Sequence, residues 1–188
     1  MQIKFNRLNL QYKEIKSQLN ISLEKLFESS DFINGPKTEE FENDFANYIG
    51  TKYAIGVSNG TDALVLAAKS LNISGSTIAF FPANTFISTI LGVESAIPNI
   101  KIELIDCNDY YLMDIDILSE RIKKNRDLYK NAIIVPVHLY GQSCDMKEII
   151  SLSEEYNCLV IEDSSQAHGA IGYSSKIVGS YGDLSCFS

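Results

Sequence analysis

The chain has 188 residues, enough to bury roughly 70% of its unfolded surface and build one core. Hydrophobic residues make up 45% and charged residues 21%, the balance of an ordinary soluble globular domain. A net charge of -8, spread over scattered acidic residues, repels nucleic-acid phosphates and argues against nonspecific nucleic-acid binding. A small anionic ligand is still allowed, because backbone N–H groups bind phosphate without a basic surface.

The opening MQIKFNRLNLQYKEIK is too polar for a secretory core, and no apolar run approaches membrane-spanning length. Cys107, Cys144, Cys158 and Cys186 lack CxxC spacing and the density of a disulfide scaffold. Reduced thiols in a cytoplasmic protein, with no metal site and no membrane partner, are the expectation.

Residues 9–30 place Leu10, Ile15, Leu19, Leu23, Leu26 and Phe27 at roughly helical spacing, which predicts an amphipathic helix. Gly35-Pro36 reads as a breaker, with a second helix from about Thr38. From Tyr53 onward short apolar runs alternate with helical stretches. The runs YAIGVS (53–58), TIAFF (77–81), KIELID (101–106), NAIIVPVHL (131–139) and CLVIED (158–163) read as strands, and another strand starts at about Leu184–Ser188. Helices are expected near 61–72, 84–95, 114–124 and 145–156. Ile- and Val-rich strands alternating with helices predict an α/β fold with a mostly parallel, buried sheet.

Three stretches can carry chemistry. Val57-Ser58-Asn59-Gly60-Thr61-Asp62-Ala63-Leu64 follows a strand and opens a helix, where free N–H groups and the helix dipole favour an anion. The same residues would equally make a capped turn. Phe81-Pro82-Ala83-Asn84-Thr85-Phe86 follows the next strand, at the sheet end where ligands bind in open parallel sheets. Phe86 could stack on a planar heterocycle or simply pack beneath the following helix. In Val160-Ile161-Glu162-Asp163-Ser164-Ser165-Gln166, Asp163 ends a strongly apolar strand and needs a partner for its charge. A protonated pyridine nitrogen would be such a partner, a turn cap the alternative. Gln166 could hydrogen-bond a ring substituent. His138 and His168 read as structural histidines.

The ordered set SNGTDAL, FPANTFIST, VPVHLYGQ, IEDSSQAHGA and GDLSCFS closely resembles the DegT/DnrJ/EryC1/StrS family of pyridoxal-phosphate (PLP) sugar aminotransferases, from about Leu8 to the last residue. The opening NLQYKEI is similar to members that form dTDP-3-amino-3,6-dideoxyhexoses. The resemblance implies the type I aminotransferase fold: a mostly parallel, seven-stranded large domain followed by a small C-terminal domain. On this pattern residues 1–50 are an N-terminal helical segment and 51–188 an incomplete PLP-binding large domain, the small domain being absent.

It further implies that Gly60, Thr61 and Ser188 hold the cofactor phosphate and that Phe86 stacks on the ring. Asp163 would pair with the ring nitrogen and Gln166 would reach the 3-hydroxyl oxygen. No metal is implied. The substrates would be an amino-acid donor, glutamate being expected, and a nucleotide-linked (dTDP-type) keto-deoxy sugar, with a homodimer as the full-length form. In the family the serine at position 188 is followed shortly by the Schiff-base lysine, in a segment like FYPGKN. That lysine lies beyond Ser188, and Lys69, Lys147 and Lys176 do not replace it. The chain thus reads as a truncated form, inactive alone, with no catalytic residue of its own. A non-catalytic fragment or one part of a split enzyme is the alternative. A PLP-dependent sugar dehydratase of the same family, with histidine in place of that lysine, is another.

Overall fold

The computed structural model describes residue 4 and residues 6–188. It falls into two units, one reaching Asp44 and one spanning Phe45–Ser188. In the first, α1 (Leu8–Ser29) is a 22-residue helix that buries none of its side chains. It stops where Ser30 turns left-handed (φ 59°) and its N–H closes onto the Leu26 carbonyl. Across the division runs α2 (Pro36–Ile49), which starts two residues before the expected Thr38. Proline at a first helical position loses no hydrogen bond and already holds the helical φ, so here it opens the helix it was expected to break.

The second unit is a doubly wound sheet. After α3 (Gly60–Ser70) the chain alternates β1 (Thr77–Pro82), α4 (Ile87–Ala96), β2 (Lys101–Ile105), α5 (Ile115–Asn125), β3 (Asn131–Ile134), α6 (Met146–Tyr156), β4 (Leu159–Asp163) and β5 (Leu184–Cys186). The five strands pair in parallel in the order β2-β1-β3-β4-β5. Alternate residues of each strand face opposite ways. Ile78 and Phe80 of β1, with Ala132 and Ile134 of β3, meet Leu118 and Ile122 of α5 and Met146 and Ile149 of α6. On the other face Ala79, Phe81, Ile133 and Ile161 meet Leu64 and Ala68 of α3 and Val93 of α4. Strands covered on both faces explain the continuous apolar runs in the sequence.

Side-chain caps set the helix starts. Asn59, Asp114 and Asp145 accept from the backbone N–H three residues on, opening α3, α5 and α6. Helix α4 begins at Ile87, three residues later than expected, because Phe86 keeps an extended backbone (φ -74°, ψ 141°). Gly92 lets α4 close on α3, since a Cβ there would stand 2.8 Å from Leu64 Cβ.

The run 53–58 does not form the expected strand. It pairs with no strand among the described residues, and Tyr53 and Ile55 are 72% and 80% exposed. An apolar run becomes a strand only where it joins a ladder, and among the described residues no ladder includes this run. Among the described residues no helix is long and apolar enough to cross a membrane. All four cysteines are free.

Candidate functional site

Four pieces of chain meet at the C-terminal ends of β1 and β4. They are the N-terminus of α3, the 82–89 segment entering α4, the 137–140 segment after β3, and the 163–166 segment after β4, with Ser188 closing the ring. They line a cavity of about 370 Å³ whose walls include Gly60, Thr61, Phe86, Asp163, Gln166 and Ser188. All six residues singled out by sequence thus face one space. No lysine lines it among the described residues.

At the α3 end, Asn59 takes the Asp62 N–H on its side-chain oxygen. The Asp62 carboxylate accepts from the Asn59 side-chain amide at 3.0 Å and from the Ser58 hydroxyl. As the first residues of α3, Gly60 and Thr61 offer N–H groups that no carbonyl of the helix can receive. A Cβ on Gly60 would stand 2.7 Å from Ser188 Cβ and 3.0 Å from its hydroxyl, so only glycine leaves this gap open. The Thr61 hydroxyl donates to Ser88 Oγ at 3.0 Å.

Asp163 sits opposite. Its backbone is pinned to the segment after β3 by Asp163 N–H to the Pro136 carbonyl (2.9 Å) and His138 N–H to the Asp163 carbonyl (3.0 Å). Its side chain is buried, with 5% of the residue exposed, and its hydrogen-bond donors among the described residues are neutral. Oδ2 accepts from the Thr89 hydroxyl at 2.7 Å, while Oδ1 accepts from the Ser165 hydroxyl at 2.7 Å and the Ser165 N–H at 3.2 Å. Burial, and then this nearby charge, push the Cys186 thiol up to about 12.

Gln166 places its side-chain carbonyl 3.0 Å from the Tyr140 N–H. An N–H can be received only by the amide oxygen, so the amide –NH2 is left as a donor for the cavity. Tyr140 holds a left-handed backbone (φ 58°, ψ 27°), a sparsely populated state for a bulky residue and one concentrated at functional sites. Phe86 is 70% exposed at the cavity edge.

His138 lies behind the site, fully buried against Glu162, and His168 packs its ring 5.2 Å from that of Phe187. Neither lines the cavity. Thr85, Ser88, Thr89 and Ser165 also line it, and sequence reasoning passed over all four. Thr85 lies before the extended Phe86 and Thr89 inside α4, and no spacing in the sequence marks either as a site residue.

These residues suit a planar, phosphorylated, basic heterocycle. The Gly60–Ser188 gap with free N–H groups suits a phosphate. The buried carboxylate, with no cation paired to it among the described residues, suits a protonated ring nitrogen, and the Gln166 amide suits an anionic ring oxygen.

The model of the DegT/DnrJ/EryC1/StrS aminotransferase family matches residues 13–188. The dTDP-3-amino-3,6-dideoxy-alpha-D-galactopyranose transaminase of Aneurinibacillus thermoaerophilus is 40% identical over 183 residues, covering 97% of this chain and 47% of that protein. Among solved structures, S. venezuelae DesV in complex with a ketimine intermediate superposes with a TM-score of 0.87 at 28% identity, over 99% of this chain and 48% of its own. A DegT DnrJ EryC1 StrS aminotransferase from Brucella abortus superposes with a TM-score of 0.89 at 27% identity, over 100% of this chain and 50% of its own. The chain spans about half the length of the curated relatives it matches.

Proposed function

The chain belongs to the DegT/DnrJ/EryC1/StrS aminotransferase family, and on that premise we propose that residues 51–188 belong to a domain that holds pyridoxal phosphate for a sugar transamination. The amino group would pass from an amino acid, glutamate as the expected donor, to a nucleotide-linked keto-deoxy sugar of the dTDP type. The names of the similar transaminases support this substrate class. The observation that carries the reading is the buried Asp163 carboxylate, whose donors among the described residues are neutral and which faces the same cavity as the Gly60–Ser188 gap.

When bound, pyridoxal phosphate supplies an electron sink through which an amino group moves between an amino acid and a keto carbon. The protein's part is to bind and orient. The N–H groups of Gly60 and Thr61, with the Ser188 hydroxyl, hold the phosphate at the positive end of α3. Asp163 keeps the ring nitrogen protonated. The –NH2 of Gln166, pointed by Tyr140 N–H, donates to the ring oxygen, and the exposed Phe86 ring covers one face of the heterocycle. No residue present is assigned the proton transfer.

We also propose a homodimer as the working form. Its support is the exposed apolar run of Tyr53, Ile55 and Val57. The four free thiols support a cytoplasmic location.

Titration with pyridoxamine phosphate tests the cofactor reading, since that amine cannot form Schiff bases with surface lysines. Saturable one-to-one binding is expected, displaced by excess inorganic phosphate and weakened at least about tenfold by Asp163→Asn, which removes the charge facing the ring nitrogen. Binding that never saturates, or that ignores Asp163→Asn, would overturn it.

A further inference from the structure

Resting on the cofactor reading above, we propose that Thr85 and Thr89 are positioning residues: a one-way chain of hydroxyls that aims the Asp163 carboxylate at the ring nitrogen and ties it to the segment carrying Phe86.

Thr89 is buried (1% exposed), and its hydroxyl lies 2.7 Å from Asp163 Oδ2, across 74 residues of sequence. The Thr85 hydroxyl lies 2.8 Å from the Thr89 hydroxyl. A hydroxyl has one proton, and an ionised carboxylate only accepts. The Thr89 proton therefore points at Asp163, and Thr85 must be the donor to Thr89. Threonine in a helix ordinarily turns its hydroxyl back to the carbonyl one turn earlier. Thr89 directs it across to another element instead.

Two independent elements thus hold the two carboxylate oxygens, Thr89 of α4 on Oδ2 and Ser165 on Oδ1. The group cannot rotate without breaking a bond at both ends. Both bonds end on the anion and are strengthened by its charge. A carboxylate fixed this way is set for a cation approaching from the cavity. Because Thr85 immediately precedes Phe86, the residue covering the ring face and the residue facing the ring nitrogen are held by one string of hydrogen bonds.

The test compares binding of pyridoxamine phosphate with binding of its 1-deaza analogue, which has carbon in place of the ring nitrogen, to the wild-type chain, Thr89→Val, Thr89→Ser and Thr85→Val. Wild type should prefer the nitrogen-containing ligand. Thr89→Val should shrink that preference about tenfold or more, the effect of removing a hydrogen bond to a charged group, with the analogue bound as before. Thr89→Ser keeps a hydroxyl and should keep the preference. Thr85→Val should erode it in part, which provides a readout even where Thr89→Val folds poorly. Equal weakening of both ligands by Thr89→Val would make Thr89 a packing residue and overturn the proposal. A preference unchanged in both valine variants would overturn it as well. A wild-type chain that takes up neither ligand sinks the cofactor reading and this proposal together, whereas a preference that survives Thr89→Val sinks the hydroxyl chain alone.

Discussion

His138 Nε2 lies 3.0 Å from Glu162 Oε2, with both side chains fully buried. The other ring nitrogen, Nδ1, accepts the Cys144 N–H at 3.0 Å, so the ring carries its proton on Nε2 and donates it to Glu162. The same Oε2 accepts from Gly179 N–H, and Oε1 accepts from the N–H groups of Tyr181 and Gly182. One buried carboxylate therefore gathers the 138–144 and 179–182 segments onto the back of β4, while its neighbour Asp163 faces the cavity.

Glu162→Gln should destabilise the fold by about 3 kcal/mol, because a buried charged network is broken. Either orientation of the amide sets an –NH2 against two donors, so no flip relieves it. Urea unfolding at pH 7 measures the loss; a change within 0.5 kcal/mol, the range of an ordinary surface substitution, would contradict it.

Acid should close the gap between wild type and Glu162→Gln. Burial alone would raise the Glu162 carboxyl, but the bond from His138 and the N–H groups of Gly182 and Gly179 outweigh it and hold the group below its ordinary 4.5. A lowered folded value contributes stability that is present above about 4.5 and lost as pH falls through that lower value. Unfolding free energies should stay apart at pH 7 and draw together as pH is lowered below 4.5. Parallel curves would show that the carboxylate is not the source.

Gly60→Ala should lower affinity for pyridoxamine phosphate more than about tenfold, since the new methyl enters the gap beside Ser188. Alanine is the better helix former by about 1 kcal/mol, so weakened helicity cannot explain such a loss. Fluorescence titration reads it, and unchanged affinity would place the phosphate elsewhere.

Iodoacetamide at pH 8 should label the folded chain at Cys107 first. Burial raises the Cys144 and Cys186 thiols to about 12 and Cys158 to about 11. At most about one in a thousand of these groups is then thiolate, the reactive form. Mass spectrometry should find all four labelled only in urea; native labelling of Cys144 as fast as Cys107 would contradict the burial.

The helices at α5 and α6 were legible because Asp114 and Asp145 stand just before apolar residues of helical period, and cap and period agree. The sheet was legible from runs that only a strand covered on both faces would need. The run YAIGVS was misread because hydrophobicity reports a wish for burial, not the presence of a ladder to join. In the site, Gly60, Thr61, Asp163 and Gln166 were visible as motif residues. Thr89 was not, since a threonine in a helix looks alike whether its hydroxyl turns back to its own turn or reaches Asp163. Glu162 is legible only through the strand's period of 2, which sends the neighbouring carboxylates of β4 to opposite faces.

The sheet order has a consequence during synthesis. β1 lies between β2 and β3, and Thr77 pairs with Asn131, 54 residues further along. At about 5–20 residues per second, roughly three to ten seconds separate the translation of the two. Through that interval one whole edge of β1 has no ladder, with Phe80 and Phe81 among its residues. The nascent chain passes through a stage in which a strand that is buried along its whole length in the finished fold is open to any other strand nearby, and the pace of translation up to Asn131 sets how long that stage lasts.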